Sequence, residues 1–77
     1  MKKVKIHVTL RDSILDPTGS AVKDSLQKLG HNGVENVRIG KYIVLDVTDD
    51  INNDEIEKMC ENILANTVIE DYTFTIE

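Results

Sequence analysis

The sequence predicts a small α+β fold in which two helices pack on one face of a small, mainly antiparallel sheet with a long central strand bent at Gly40. Two observations predict this class: apolar residues alternate with period two in three segments, and recur at helical spacing in the two segments between them. The order strand, helix, strand, helix, strand is close to the ferredoxin-like folds. Residues 1–77 are interpreted as one domain, because a chain this short has room for only one small core.

Local patterns mark the first strand and the first helix. The apolar residues of the first strand alternate with polar ones: Val4, Ile6, Val8 and Leu10. Such alternation is typical of a strand with one buried face. Asp16 is the expected N-cap of the first helix, Pro17 its first residue, and Gly30 the residue just past its end.

Segment 37–47 is the longest apolar-rich run without a helical period, and we interpret it as the central strand. Counting by twos puts its apolar residues on one face, with Lys41 as the only exception: Val37, Ile39, Ile43, Leu45 and Val47. A two-residue hairpin at Gly40 and Lys41 would split this stripe, whereas a strand bent at Gly40, or a bulged turn there, preserves it. We favour the bent strand. So long a strand would leave an unpaired edge, which predicts self-association.

The second helix is expected to begin at Asn52, an N-cap with Glu55 three residues later. Its apolar residues then follow at helical spacing: Ile56, Met59, Cys60, Ile63 and Leu64. Asn66 is expected to end this helix in the left-handed conformation. The last strand carries alternating apolar residues: Tyr72, Phe74 and Ile76.

Composition excludes several classes of function. Fourteen acidic against nine basic side chains give a net charge of −5, which disfavours binding to a phosphate backbone, so no nucleic-acid partner is expected. The one cysteine cannot form an internal disulfide and fits a reducing compartment, which indicates the cytoplasm. No apolar run approaches the roughly 18 residues of a membrane span, so no membrane partner is expected.

No catalytic, cofactor-binding or metal site emerges from the residues. No serine or cysteine has an evident base, and no glycine-rich cradle precedes a helix. His7 and His31 are interpreted as solvated, and Cys60 as a small buried hydrophobe in an acidic neighbourhood. An RNA-binding sheet would need stacked aromatic residues, whereas Tyr42 is the only one before Tyr72.

Three segments together resemble a known family. They are Asp16-Pro17-x-Gly19-x-Ala21-Val22, Val37-Arg38-Ile39-Gly40-Lys41-Tyr42 and Leu64-Ala65-Asn66-Thr67-Val68-Ile69-Glu70-Asp71-Tyr72. In this order and at this spacing they are similar to the signature segments of PurS, the small subunit of phosphoribosylformylglycinamidine (FGAM) synthase. The likeness runs from the first strand to the last.

The resemblance implies a non-catalytic subunit of a ligase complex in de novo purine biosynthesis. The complex makes FGAM, ADP, phosphate and glutamate from formylglycinamide ribonucleotide, ATP and glutamine. In the family, the large subunit PurL binds ATP with Mg, the glutaminase PurQ releases ammonia, and PurS joins the two so that ammonia passes between active sites. The resemblance also implies a homodimer or higher oligomer, with no cofactor bound by this chain.

Five residues are the candidate interface residues: Arg38, Lys41, Tyr42, Asn66 and Thr67. The first three lie on or beside the predicted protruding strand, and arginine and aromatic residues often anchor interfaces. Asn66 and Thr67 form the turn into the last strand. A local role, as helix terminator for Asn66 or as bend for Gly40, would fix the same residue types without any partner. The alternative function is a ferredoxin-like dimeric regulatory module that binds a small molecule.

Overall fold

A computed structural model describes all of residues 1–77 and confirms a small α+β fold with two helices and an antiparallel sheet. A five-residue π-helical turn, Cys60–Leu64, continues the second helix. The regular elements, in chain order, are β1 (Lys2–Leu10), α1 (Pro17–Lys28), β2 (Gly40–Val47), α2 (Asn53–Met59) and β3 (Glu70–Ile76). None of the helices is long and apolar enough to cross a membrane.

The sheet has three strands in the order β2-β1-β3, and both pairings are antiparallel. Ile6 of β1 lies opposite Ile43 of β2 and Phe74 of β3, so all three side chains point to the same face. β1 is therefore the central strand, and β2 and β3 are the edges.

The core lies between this face and the second helix. Val4, Ile6 and Val8 are fully buried against Ile56 and Cys60, which are also fully buried. Half-buried residues of both edge strands pack around them, including the predicted stripe of β2 and the alternating residues of β3: Ile43, Leu45, Val47, Tyr72, Phe74 and Ile76. Alternation along each strand thus predicted the buried face.

α1 is built as expected but does not join this core. Asp16 caps it, Pro17 is its first residue, and Gly30 follows it with φ 99°. Yet no apolar side chain of α1 packs against the core, and its only buried residue is Gly19. Val22 is 37% exposed. The prediction that both helices pack on the sheet therefore holds for α2 and is wrong for α1. The chain is elongated, with dimensions of 49 × 25 × 14 Å.

The predicted long central strand over 37–47 is also wrong, because β2 begins only at Gly40 and lies at an edge. The backbone N–H of Ile39 donates to Asp16 Oδ2 at 2.7 Å instead of joining the sheet. The segment before Gly40 is thus held by the start of α1, and neither the bent strand nor the hairpin forms. Gly40 lies so close to β1 that a Cβ would be 2.5 Å from the carbonyl oxygen of Val8.

The second helix begins as predicted and ends differently. Asn52 accepts from the Glu55 N–H at 2.9 Å. The helix widens into the π turn and stops at Ala65, whose backbone is extended and whose N–H donates to the Cys60 carbonyl. Asn66 is not left-handed, since no residue other than glycine has a positive φ. Its expected role as a left-handed terminator is wrong, because the extended Ala65 already ends the helix.

Candidate interaction site

Two residues of opposite charge, Lys41 and Glu70, lie together at one end of the sheet face that carries the core residues. Lys41 is opposite Val8 and Glu70 opposite Leu10, so both share the face of the core residues. The Lys41 Nζ lies 3.7 Å from Glu70 Oε2 across β1. The Lys41 side chain is 59% exposed, whereas that of Glu70 is 13% exposed. The sheet face therefore changes from apolar to charged at this end.

Two open cavities meet at this ion pair, because Lys41 and Glu70 line both of them. The larger has a volume of about 400 Å³ and lies between the pair and the end of the π turn, where Asn66 and Thr67 also line it. The smaller, of about 260 Å³, extends toward the start of α1 and is lined by Asp16 among others. The two form one groove across this end of the sheet.

The turn that borders the larger cavity is held by its own hydrogen bonds. The Asn66 side chain accepts from the Val68 N–H at 3.2 Å, and the Asn66 carbonyl accepts from the Glu70 N–H at 2.7 Å. Glu70 Oε1 in turn accepts from the Asn66 N–H at 2.7 Å. The Arg11 guanidinium donates to the Thr67 carbonyl. The ordered turn leaves the aliphatic side chain of Val68 80% exposed.

The Arg38 guanidinium points at the backbone of its own chain. Its Nη2 donates to the carbonyls of Arg11 at 2.9 Å and Ile14 at 3.0 Å, with Leu10 at 3.5 Å. These carbonyls belong to the end of β1 and the loop before α1. Arg38 therefore binds the segment that connects the sheet to α1.

Asp16 lies in the same place and is 4% exposed. Its Oδ1 accepts from the Gly19 N–H at 2.8 Å, while its Oδ2 accepts from the Ile39 N–H at 2.7 Å. The hydrogen bond from Ile39, followed by the one from Gly19, holds the pKa of this carboxyl below its usual value. The carboxylate is thus both a helix cap and a link to the segment before β2.

The five candidate interface residues do not form one surface. Lys41, Asn66 and Thr67 line the larger cavity, whereas Arg38 faces inward. Tyr42 lies on the other face of the sheet, where its ring centroid is 4.8 Å from that of His7 and the residue is 56% exposed. That any of the five contacts a partner stays a prediction.

Sequence reasoning missed the contributions of Arg11 and Glu70, and it interpreted Asp16 only as a cap. A signal for Glu70 was available, because it shares the parity of Tyr72 and so belongs to the apolar face of β3. Lys41 breaks the parity of β2 in the same way. Two charges of opposite sign on the apolar face indicate a polar end to the core. No such signal existed for Arg11.

Two other side chains that could be reactive, those of Cys60 and Tyr72, have structural roles. Cys60 is confirmed as a core residue, and burial, with the negative charges of Glu61 and Glu57 adding to it, raises the pKa of its thiol. The Tyr72 hydroxyl donates to Glu61 at 3.3 Å, and burial first, then Glu61, raises its pKa. No three histidine, cysteine or carboxylate side chains lie together as a metal site. The groove offers hydrogen bonds, charges and exposed aliphatic groups to a partner.

Comparison with known proteins identifies what the chain is similar to. Residues 3–77 match the family model described as PurS: Phosphoribosylformylglycinamidine (FGAM) synthase. The FGAM synthase subunit PurS of Synechocystis is 52% identical over 75 residues, which are 94% of this chain and 75% of that protein. The structure of Bacillus subtilis PurS is 49% identical, with a TM-score of 0.91, and covers 100% of this chain and 99% of its own.

A third similar structure is that of PurLQS from Thermotoga maritima. The matched chain is 30% identical with a TM-score of 0.85, and the match covers 99% of this chain and 96% of that one. The likeness therefore extends to a chain that was solved as part of PurLQS.

Proposed function

The chain belongs to the PurS family and is a subunit of FGAM synthase in purine biosynthesis, and we propose that it joins the synthetase PurL to the glutaminase PurQ. The observation that carries the proposal is its similarity, over nearly its whole length, to a chain of PurLQS. In this proposal ATP and Mg are bound by PurL, and this chain contributes contacts. Its single free cysteine fits a complex that works in the reducing cytoplasm.

The chemistry of ammonia explains why such a joining subunit is needed. Ammonia in neutral water is mostly protonated, and ammonium has no lone pair with which to attack an activated carbon. An enclosed route from glutaminase to synthetase keeps the nucleophile unprotonated and keeps water away from the reactive intermediate. We infer that this chain supports that transfer by holding the two partner subunits in register.

We propose that the groove at Lys41 and Glu70 is where this chain contacts a partner subunit. The turn beside it is fixed by hydrogen bonds, so little conformational entropy is lost when it is bound. Ile63 and Val68 project beside the groove with 84% and 80% of their surface exposed. Exposed aliphatic groups around a polar groove are suited to a protein surface, because burying them is favourable and the ion pair gives orientation.

We also propose that the chain self-associates with a second copy. It exposes 5585 Å², whereas a monomer of 8.7 kDa is expected to expose about 4,700 Å². The excess of roughly 900 Å² is close to the ~800 Å² that each partner buries in a standard interface. The radius of gyration of 15.8 Å likewise exceeds the ~11.5 Å expected for this length. The uncovered apolar stripe of α1 is the surface that a second copy would cover.

A small-molecule regulatory module is the second candidate function. The larger cavity, at about 400 Å³, is within the range of ligand pockets, which extends from about 300 to 1,000 Å³. A shift in the melting temperature of the isolated oligomer on adding glutamine, ATP or formylglycinamide ribonucleotide would support this candidate. The joining role requires no such shift.

The experiment that tests the joining role is FGAM synthesis by PurL plus PurQ, with and without this chain, fed either glutamine or an ammonium salt. We expect turnover with glutamine to require the chain and turnover with ammonium to depend on it much less. Loss of both activities without the chain would mean that it completes the synthetase instead. Equal activity with and without the chain would contradict the proposal.

A variant pair tests the groove within the same assay. Val68→Glu adds a charge beside the groove, whereas Val44→Glu adds the same charge on the other sheet face, where Val44 is 46% exposed. We expect the first to raise the concentration of chain needed for half-maximal glutamine-driven turnover at least about tenfold, since a charge at an interface core is strongly disfavoured. Equal effects of the two variants would contradict the groove as the contact surface.

A further inference from the structure

The orientation of α1 depends on a few contacts with the segments that flank it. One lies at its last turn, where the Gln27 side-chain amide donates to the Val34 carbonyl at 3.0 Å, and the others lie at its first turn. Because the apolar side chains of α1 are not packed in the core, core packing does not fix the angle between this helix and the sheet. Two segments flank the first turn of the helix: the loop after β1 and the residues just before β2. Contacts among these segments therefore have to hold the helix in place.

The Asp16 carboxylate makes one of these contacts. One oxygen caps α1 through Gly19, and the other accepts the N–H of Ile39, next to the first residue of β2. Since the N-cap precedes the helix directly, this second bond ties the start of α1 to the start of an edge strand. Asp16 is only 4% exposed, so water has little access to its two carboxylate oxygens.

The Arg38 guanidinium makes the second contact, from the opposite direction. It stands one residue before Ile39 and reaches back to the carbonyls of Leu10, Arg11 and Ile14. Those carbonyls span the connection from β1 to the residues just before α1. Arg38 thus holds the loop against the same segment that Asp16 holds from the helix side.

The two segments also approach each other closely. A Cβ at Gly19 would lie 2.1 Å from the carbonyl oxygen of Val37, a distance that only glycine permits. The first turn of α1 therefore rests directly on the backbone before β2. This contact leaves the helix little freedom to rotate while Asp16 and Arg38 remain bound.

We propose that Asp16 and Arg38 are positioning residues that fix the angle at which α1 projects from the sheet, and so set the strength of self-association. The second part of this proposal, the effect on the strength of self-association, rests on the proposed self-association through α1. Apparent affinity falls in proportion to the fraction of molecules in the binding-competent conformation. A helix that samples many angles would present its apolar stripe in the right direction only part of the time.

The test measures the angle of α1 and the affinity separately. Nitroxide labels are attached at Lys28→Cys, at the end of α1, and Thr73→Cys, on the exposed face of β3, and their separation is measured by pulsed electron paramagnetic resonance. The labelled chain is measured at a concentration below its dissociation constant, so that only distances within one chain are recorded and no second copy holds the helix. Cys60 is fully buried, which shields its thiol from the labelling reagent. Sedimentation gives the dissociation constant of the oligomer.

Two variants remove the contacts by different routes. In Asp16→Asn the amide oxygen can still accept from the Gly19 N–H as a good N-cap. The amide NH₂ group then faces the Ile39 N–H, which is left without an acceptor. Arg38→Lys keeps the charge but replaces the planar guanidinium by a single ammonium that cannot reach the same set of carbonyls. Asp54→Asn is the control, because Asp54 is an exposed carboxylate at the start of the other helix.

The wild-type chain and the Asp54→Asn control are expected to give one narrow distance distribution. Both positioning variants should give a broader distribution and a dissociation constant about tenfold larger, with helix content unchanged. A narrow distribution that persists in both variants would overturn the positioning role. A broad distribution in the wild type would do the same. A wild type that stays monomeric at every concentration would overturn the proposed self-association and the affinity half of this inference, while the distances still decide the first half.

Discussion

The two helices of this chain have the same design in sequence and different surroundings in the structure. Each begins at a side-chain cap, Asp16 or Asn52, and each carries an apolar stripe at helical spacing. Yet α2 places Ile56 at the centre of the core with no exposed surface, while Val22 of α1 is 37% exposed and Leu29, the C-cap residue of α1, is 76% exposed. An amphipathic pattern therefore predicts a helix with an apolar face, and does not say whether that face packs in the core of its own chain.

The largest expected effect comes from truncating one residue on each stripe. Ile56→Ala should lower the free energy of unfolding by about 3 kcal/mol, because it leaves a cavity in the core. Val22→Ala should lower it by less than about 1 kcal/mol when the chain is monomeric, because its side chain is already partly in water. Denaturant unfolding at low protein concentration measures both. Equal losses would mean that α1 packs in the core of its own chain.

A smaller effect is expected from the glycine on which α1 rests. Gly19→Ala places a methyl group 2.1 Å from the Val37 carbonyl, which forces the helix or the segment to move and should cost about 2 kcal/mol. Gly33→Ala is the matched control, since a Cβ there meets no atom within 4 Å. Thermal unfolding of the two variants compares them. If Gly19→Ala is no less stable than the control, the first turn of α1 is not held against the segment before β2.

The caps of the two helices should differ in how much they stabilise the chain. Asn52→Ala should cost about 1 kcal/mol, the usual loss when a helix cap is removed. Asp16→Ala should cost more, because it also leaves the Ile39 N–H without its partner in a nearly buried place. Urea unfolding midpoints of the two variants decide the order. A larger loss for Asn52→Ala would contradict the linking role of Asp16.

The smallest effect is a dependence on pH that separates one cap from the other. The folded pKa of Asp16 lies below its unfolded value, so the carboxylate contributes stability above the unfolded pKa, about 4, and loses it as the pH falls through the folded pKa. The difference in the free energy of unfolding between wild type and Asp16→Asn should have its full value at pH 7 and become smaller below about pH 4. Asn52→Asp is the control: it places a carboxylate at a helix cap that has no second bond to another segment. A difference that is independent of pH would contradict the ionised link.

The elements themselves could be predicted from local patterns. Alternation put Ile43 and Leu45 on the buried face, and Asp16 and Asn52 were expected as caps, because each signal lies within a few residues of its effect. The candidate site was predicted only in part. Lys41, Asn66 and Thr67 line one cavity, but that meeting depends on the pairing of both edge strands with β1.

The remaining differences come from contacts between distant parts of the chain. The local sequence predicts Ile39 as a strand residue, but its N–H donates to Asp16, which lies far earlier in the sequence. The position of β1 between the other strands, and the inward direction of Arg38, likewise depend on pairing that no local period records. The alternation along β2 already put Tyr42 on the sheet face opposite to that of Lys41. The two were grouped as interface residues only because they are adjacent in sequence.

The central place of β1 has a consequence for how the chain folds. Val4 pairs with Leu45 on one side and with Ile76 on the other, so both ladders join residues that are far apart along the chain. Closing such long loops loses chain entropy before the contacts return any free energy, which slows folding to roughly milliseconds or longer. Until β2 and β3 arrive, the apolar side and both edges of β1 are open to other chains. The strand that is central and most buried in the finished domain is therefore the one most exposed to aggregation while the domain forms.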